Sequence, residues 1–217
     1  MSDPKEWKEK MELDEILRKH HMWLHFKLGG ERAVFKGKCL NEVDLHNEDL
    51  READFRNACL RAANLSRADL RDAYFDGANL YKANLHEANL RDTHMFQTNL
   101  ERADLSNACL SGAYLYNANL RYADLSGCDF RGANLRRADL RDSDLRGADL
   151  RGADLYSSAW PLDVGTSDVE VDIRFVRLLL AHVACLRCDD PEFEIIKPKI
   201  MPYALKSHKA SELLNGC

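Results

Sequence analysis

Apolar residues return at every fifth position through the middle of this chain, with no insertion or deletion between residues 36 and 155. All 24 positions divisible by five from Leu40 to Leu155 hold Leu, Phe or Met; Phe55, Phe75, Phe130 and Met95 are the departures from Leu. Two residues before each centre Ala predominates, as at Ala58, Ala63, Ala68, Ala73 and Ala78, and Asp or Asn usually stands between, as in Ala63-Asn64-Leu65. Phe35 is already in phase, and Trp160 before Pro161 is the last echo. A period of five fits neither a helix nor a continuous strand. Split in two, the unit makes sense. Ala-Asp-Leu reads in-out-in, an extended piece with both apolar side chains on one side. The next two residues, as in Arg131-Gly132, are polar or Gly and turn a corner. The pattern predicts an all-β solenoid that buries its lining by stacking coil on coil.

Residues twenty apart resemble one another. Phe55, Phe75 and Met95 form one such set; Tyr74, His94 and Tyr114 form another, and Asn79, Asn99 and Asn119 a third. Arg51, Arg71 and Arg91 make a further column, resumed by Arg131 and Arg151 after Ser111. Coils of four units, twenty residues each, explain these sets, whereas fifteen-residue coils would scatter them.

The tandem A-[D/N]-L-x-x unit resembles the pentapeptide-repeat family over about 120 of the 217 residues. That resemblance implies a right-handed quadrilateral β-helix of about six coils, roughly 29 Å long at ~4.8 Å per coil. It also carries the expectation of a bacterial origin. Lys38 and Glu48 depart from the pattern by occupying positions where Ala would face inward. The first coil is therefore expected to be splayed, or covered by the segment before it.

Open solenoid ends invite polymerisation unless capped. The chain divides accordingly into an N-terminal helical cap (1–32), the repeat β-helix (33–160) and a C-terminal helical cap (161–217). Met11, Leu13, Ile16, Leu17, Trp23 and Leu24 recur at roughly helical spacing before the breaker Gly29-Gly30. This stretch also resembles the leaders of related bacterial repeat proteins. Beyond Pro161, Asp172 opens a predicted helix that ends around Asp189-Asp190-Pro191, and a shorter piece holding Ile195, Ile196 and Ile200 follows. The run around Phe175, Leu178, Leu179 and Val183 is more apolar than one covering face needs; either both of its sides are buried within the chain, or one side pairs with another subunit, which makes these residues candidates for a homodimer interface.

Composition narrows the function classes. Thirty-one Lys and Arg against 36 Asp and Glu leave a net charge of −5, and mean hydropathy is −0.47. No apolar stretch approaches the ~18 residues of a membrane span, and residues 1–7 lack the apolar core of a secretory signal. A cytoplasmic protein with free thiols is expected from its seven cysteines. Cys39 and Cys59 fall in one column, close enough to pair were the compartment oxidising. His182-x-x-Cys185-x-x-Cys188, with Cys217, has the residue types of a zinc site. Its helical, apolar setting favours core thiols, so no metal and no cofactor is assigned.

A filled, narrow rod offers no concave, desolvated site for paired carboxylates, so no enzyme activity is expected. Asp49, Asp69, Asp129 and Asp149 flank the Arg column on one side and Glu52, Asp72 and Asp92 on the other; salt-paired ladders result, and direct nucleic-acid binding is not expected. The outward aromatic residues Tyr74, His94, Phe96, Tyr114, Tyr116 and Tyr156 are the candidate protein-contact patch, with Tyr81 and Tyr122 round the next corner. The sequence thus favours a non-enzymatic scaffold for an unidentified protein partner. Some members of the resembled family protect DNA gyrase from quinolones by mimicking duplex DNA, which supplies an alternative. Residues 36–155 carry 20 acids against 17 bases, a poor match to a phosphate-like stripe.

Overall fold

Residues 4–159 are described in a computed structural model of the chain, with side chains from residue 11 onward. From Val34 to Asp139, the central residue of each unit forms a parallel bridge to the residue twenty positions along. Four columns of bridges run side by side. The first face carries Val34, Asp54, Tyr74, His94, Tyr114, Asn134 and Asp154; the second starts at Cys39, the third at Asp44 and the fourth at Asp49. Pairing is confined to single residues because a corner arrives before a strand can lengthen. Each unit still joins both neighbouring coils: the Leu60 amide donates to the Asn79 carbonyl (2.7 Å) and the Asn79 amide to the Ala58 carbonyl (2.9 Å).

Corners are built from a repeated turn. The amide of Ala63 donates to the Leu60 carbonyl (3.1 Å), closing four residues. The second corner residue has positive φ in every unit from Gly37 to Ser157, and the first has not, which is the type II pattern. Non-glycine residues adopt this conformation too, among them Ala62 (φ 54), Tyr122 (φ 57) and Arg137 (φ 56). Each such residue costs about 1–2 kcal/mol. Coil-to-coil pairing offsets that cost, since the left-handed residue's amide also joins the next coil, as from Asn57 to the Asp76 carbonyl (2.9 Å). At Gly112 (φ 71) an added Cβ would in addition lie 2.1 Å from Asp92 Oδ1, so that carboxylate would have to move.

The axis is filled with the predicted residues. From Leu45 to Leu155 every centre is buried, and Phe35, Phe55 and Phe75 stack at 4.9 and 4.8 Å. Polar residues at Ala positions satisfy themselves within the wall. Thr98 Oγ1 donates to the Phe75 carbonyl (2.8 Å), and the Cys128 thiol to that of Leu105 (2.9 Å).

Before the first coil runs helix α1 (Pro4–Leu24), whose Leu13, Ile16 and Leu17 pack against the core. Gly30 lets the chain return tightly: a Cβ there would sit 2.3 Å from the Trp23 backbone nitrogen. Glu31 donates its amide to the Lys19 carbonyl (3.1 Å) and pairs with Lys19 Nζ (2.9 Å). His20 is fully buried, stacks on Trp23 and accepts the Ala33 amide at Nδ1 (3.1 Å). Burial holds its imidazole below the usual histidine pKa.

The first coil is not splayed, contrary to one form of the sequence expectation. Leu40 donates to the Cys59 carbonyl (2.7 Å) and Cys59 to that of Lys38 (2.9 Å), so the register begins at once. Lys38 is accommodated by exposure and Glu48 by half-burial, which end-coil geometry permits. Helix α1 covers this end in part, leaving a cleft of about 640 Å³ lined by Leu13, Ile16, Leu17, Lys38, Leu40 and Val43 among others. The expected cap over 161–217, with Phe175, Leu178, Leu179, Val183, His182, Cys185 and Cys188, lies outside the described residues.

Candidate interaction surface

Where each side chain goes follows from the turn. The first corner residue folds back over the face just completed. Arg51, Arg71, Arg131 and Arg151 therefore meet Asp49, Asp69, Asp129 and Asp149, with Nη2 to Oδ2 distances of 2.8, 2.6, 2.7 and 2.5 Å. Arg91 has Asn89 below it instead of Asp and turns to Ser111 Oγ (3.1 Å). The guanidiniums hold the carboxyls of Asp49, Asp129 and Asp149 below their usual range. Apart from Arg91, the Arg column is thus neutralised by the acid two residues earlier. Glu52, Asp72 and Asp92, which the sequence places equally close, form no ion pair with it among the described residues.

The first face is different in kind. Tyr74, His94 and Tyr114 stack with centroids 4.8 and 5.0 Å apart, and on the adjoining corner Phe96 stacks on Tyr116 at 5.6 Å. Two ranks of rings therefore lie side by side over three coils. Tyr114 and Phe96 are 49% and 42% exposed. Tyr156 shares the corner column but stands two coils further on, with Arg136 between and its guanidinium 5.1 Å from the ring. The structure thus joins five of the six predicted patch residues and sets Tyr156 apart.

Two features escaped the sequence reading. Asp54, at an outward position, is only 2% exposed, gripped by Arg56 through Nε–Oδ1 (2.8 Å) and Nη2–Oδ2 (2.5 Å), and its carboxyl is held below the usual range by that pair. Cations also cover rings, as with Arg102 and Arg121 over Tyr122, each at 5.1 Å. The i−2 relation of Arg to Asp could have revealed the first feature; the second depends on three-dimensional neighbours. Among the described residues, no three or more His, Cys, Asp or Glu are grouped to hold a metal ion, and no helix is long and apolar enough to cross a membrane.

A four-sided coil of twenty residues, with a filled axis and its chemistry confined to flat faces, defines a β-solenoid repeat protein. The family model for pentapeptide repeats (8 copies) matches residues 31–67, 58–97, 84–121, 98–137 and 118–156, more than half of the chain, and the protein belongs to that family. Among solved structures it is similar to HetL, a pentapeptide repeat protein involved in heterocyst differentiation regulation from the cyanobacterium Nostoc sp. strain PCC 7120. The identity is 26% over 69% of this chain and 92% of that one, with a TM-score of 0.28. It is also similar to QnrB1, a plasmid-mediated fluoroquinolone resistance protein (20%, 70% and 96%, TM-score 0.37). A pentapeptide repeat protein of the Arabidopsis thaliana thylakoid lumen matches at 31% over 51% of this chain and 70% of that one, TM-score 0.23. No curated protein matches the chain.

Proposed function

We propose that this protein is a non-enzymatic scaffold, a rigid rod that presents its first face to a protein partner. In this reading the rod is the family's right-handed quadrilateral β-helix of about six coils, capped at both ends and working in the cytoplasm. The observation that carries the reading is the double rank of Tyr74, His94, Tyr114, Phe96 and Tyr116, aromatic area concentrated on one face. Clustered exposed rings typify protein interfaces. Duplex mimicry toward gyrase fits less well, because Arg51, Arg71, Arg131 and Arg151 lie on the acids that would have to act as phosphates. The test is affinity capture from the source cell with the full chain and with Phe96→Ala/Tyr116→Ala. Loss of a captured partner at unchanged melting temperature supports the reading, and undiminished capture overturns it.

A further inference from the structure

The rod seats its own cations on its tyrosines. Arg32 and Arg56 stand 5.7 and 5.8 Å from the Tyr74 ring, Arg61 5.3 Å from Tyr81, and Arg137 5.7 Å from Tyr116. Tyr122 and Tyr156 are covered in the same way. Among the described tyrosines Tyr114 alone lacks such a cation, although it is the most exposed ring of its ladder and ends it. Phe96, on the adjoining corner of the His94 coil, also lacks one.

The surroundings of these free rings are acidic. In the coils of the ladder, Asp72, Asp76 and Asp92 have no cation within ion-pair distance among the described residues. Asp92 extends its Oδ1 over Gly112, two residues before Tyr114. Asp76 uses Oδ1 to accept the Phe96 amide (3.0 Å), leaving Oδ2 unengaged. Arg71 and Arg91 are turned to the fourth face, toward Asp69 and Ser111. Positive charge flanks this stretch at its two ends, with Arg32 and Arg56 at the Tyr74 rung, and Arg137 over Tyr116 and Arg136 near Asp154 at the other end.

We infer that the face around Tyr114 and Phe96 docks an arginine-bearing segment of a partner protein. A guanidinium stacks on the uncovered ring, and Asp92 or Asp76 receives its N–H groups. Arginine matches both halves of the site, since it is planar enough to stack and forked enough to pair with a carboxylate; lysine supplies only charge. Asp76 and Asp92 would repel a phosphate backbone, which favours a cationic occupant. This inference rests on the scaffold reading and specifies its partner.

The probe is an amidated octapeptide of alternating arginine and glycine, titrated by calorimetry into the full chain, with lysine–glycine and glutamate–glycine versions alongside. The arginine peptide should bind at least about fivefold more tightly than the lysine peptide. Tyr114→Ala and Asp92→Asn should each weaken it by about fivefold, while Tyr81→Ala, round the next corner, leaves it unchanged. Equal binding of the arginine and lysine peptides, or equal loss on Tyr81→Ala, overturns the inference. Should the arginine peptide fail while Phe96→Ala/Tyr116→Ala still abolishes partner capture, only the arginine assignment falls; if capture is indifferent to those rings, the scaffold reading falls with it.

Discussion

Phe55 and Phe75, twenty residues apart, stack inside the rod with centroids 4.8 Å apart and ring planes within 4° of parallel. Outside the wall, Tyr74 and His94 repeat the same 4.8 Å separation. One backbone register sets both, so core and surface are two readings of a single period. Truncating the middle of the inner stack therefore damages three coils at once. Phe55→Ala should cost about 3–5 kcal/mol, measured as a shift of the urea midpoint.

Corner glycines and corner non-glycines should respond oppositely to exchange. Gly77→Ala places a Cβ 2.5 Å from Asn57 Oδ1 at φ 68 and should destabilise by about 1–2 kcal/mol. Ala62→Gly, at φ 54, relieves strain and should stabilise by up to about 1 kcal/mol, against the usual sense of that exchange. Thermal melts of the two variants check both signs.

Acid should act in two windows. His20 is held neutral by burial, so the unfolded chain takes up its proton first, and docking of helix α1 weakens as the pH falls below about 6.5. The carboxyls of Asp49, Asp54, Asp129, Asp139, Asp144 and Asp149 are lowered by their Arg partners. Their contribution is complete above the unfolded value near 3.9 and is lost as the pH falls through the lower folded values. Trp23 emission, read with Trp7 and Trp160 replaced by Phe, should change before the far-ultraviolet signal of the rod does.

Thiol reactivity should sort by side of the wall. Cys128 is buried, and desolvation pushes its thiol up, so it should resist a disulfide reagent in the native state. Cys39 and Cys59 are exposed and should react. Site-resolved mass spectrometry of the labelled peptides measures the difference.

Gly30→Ala should loosen the N-terminal cap without unwinding the coils. Its Cβ would meet backbone of Met22 and Trp23 at 2.3–2.6 Å, which no rotamer change relieves. Hydrogen exchange should rise in residues 11–24 and stay unchanged in the middle coils.

Much of this was legible in the sequence because the repeat is strict. The lining from Leu45 to Leu155, the twenty-residue register and the stacking of Tyr74, His94 and Tyr114 all follow from periodicity alone. What was not legible depends on where side chains turn after the backbone is fixed. Nothing local tells Tyr122 or Arg137 to adopt positive φ; coil-to-coil pairing imposes it. Lys38 looked disruptive because an interior position was assumed, yet the end coil lets it point to solvent. Likewise, flanking acids looked equivalent around the Arg column until the turn showed that Arg71 folds toward Asp69 and away from Asp72.

The display of one aromatic face to a partner is tested most directly by photo-crosslinking. A photoreactive phenylalanine analogue replaces Tyr114 on the first face in one variant and Asp124 on the opposite, third face in another. Position 114 is expected to cross-link a partner and position 124 none. Equal cross-linking from both positions, or cross-linking from 124 alone, would contradict that expectation.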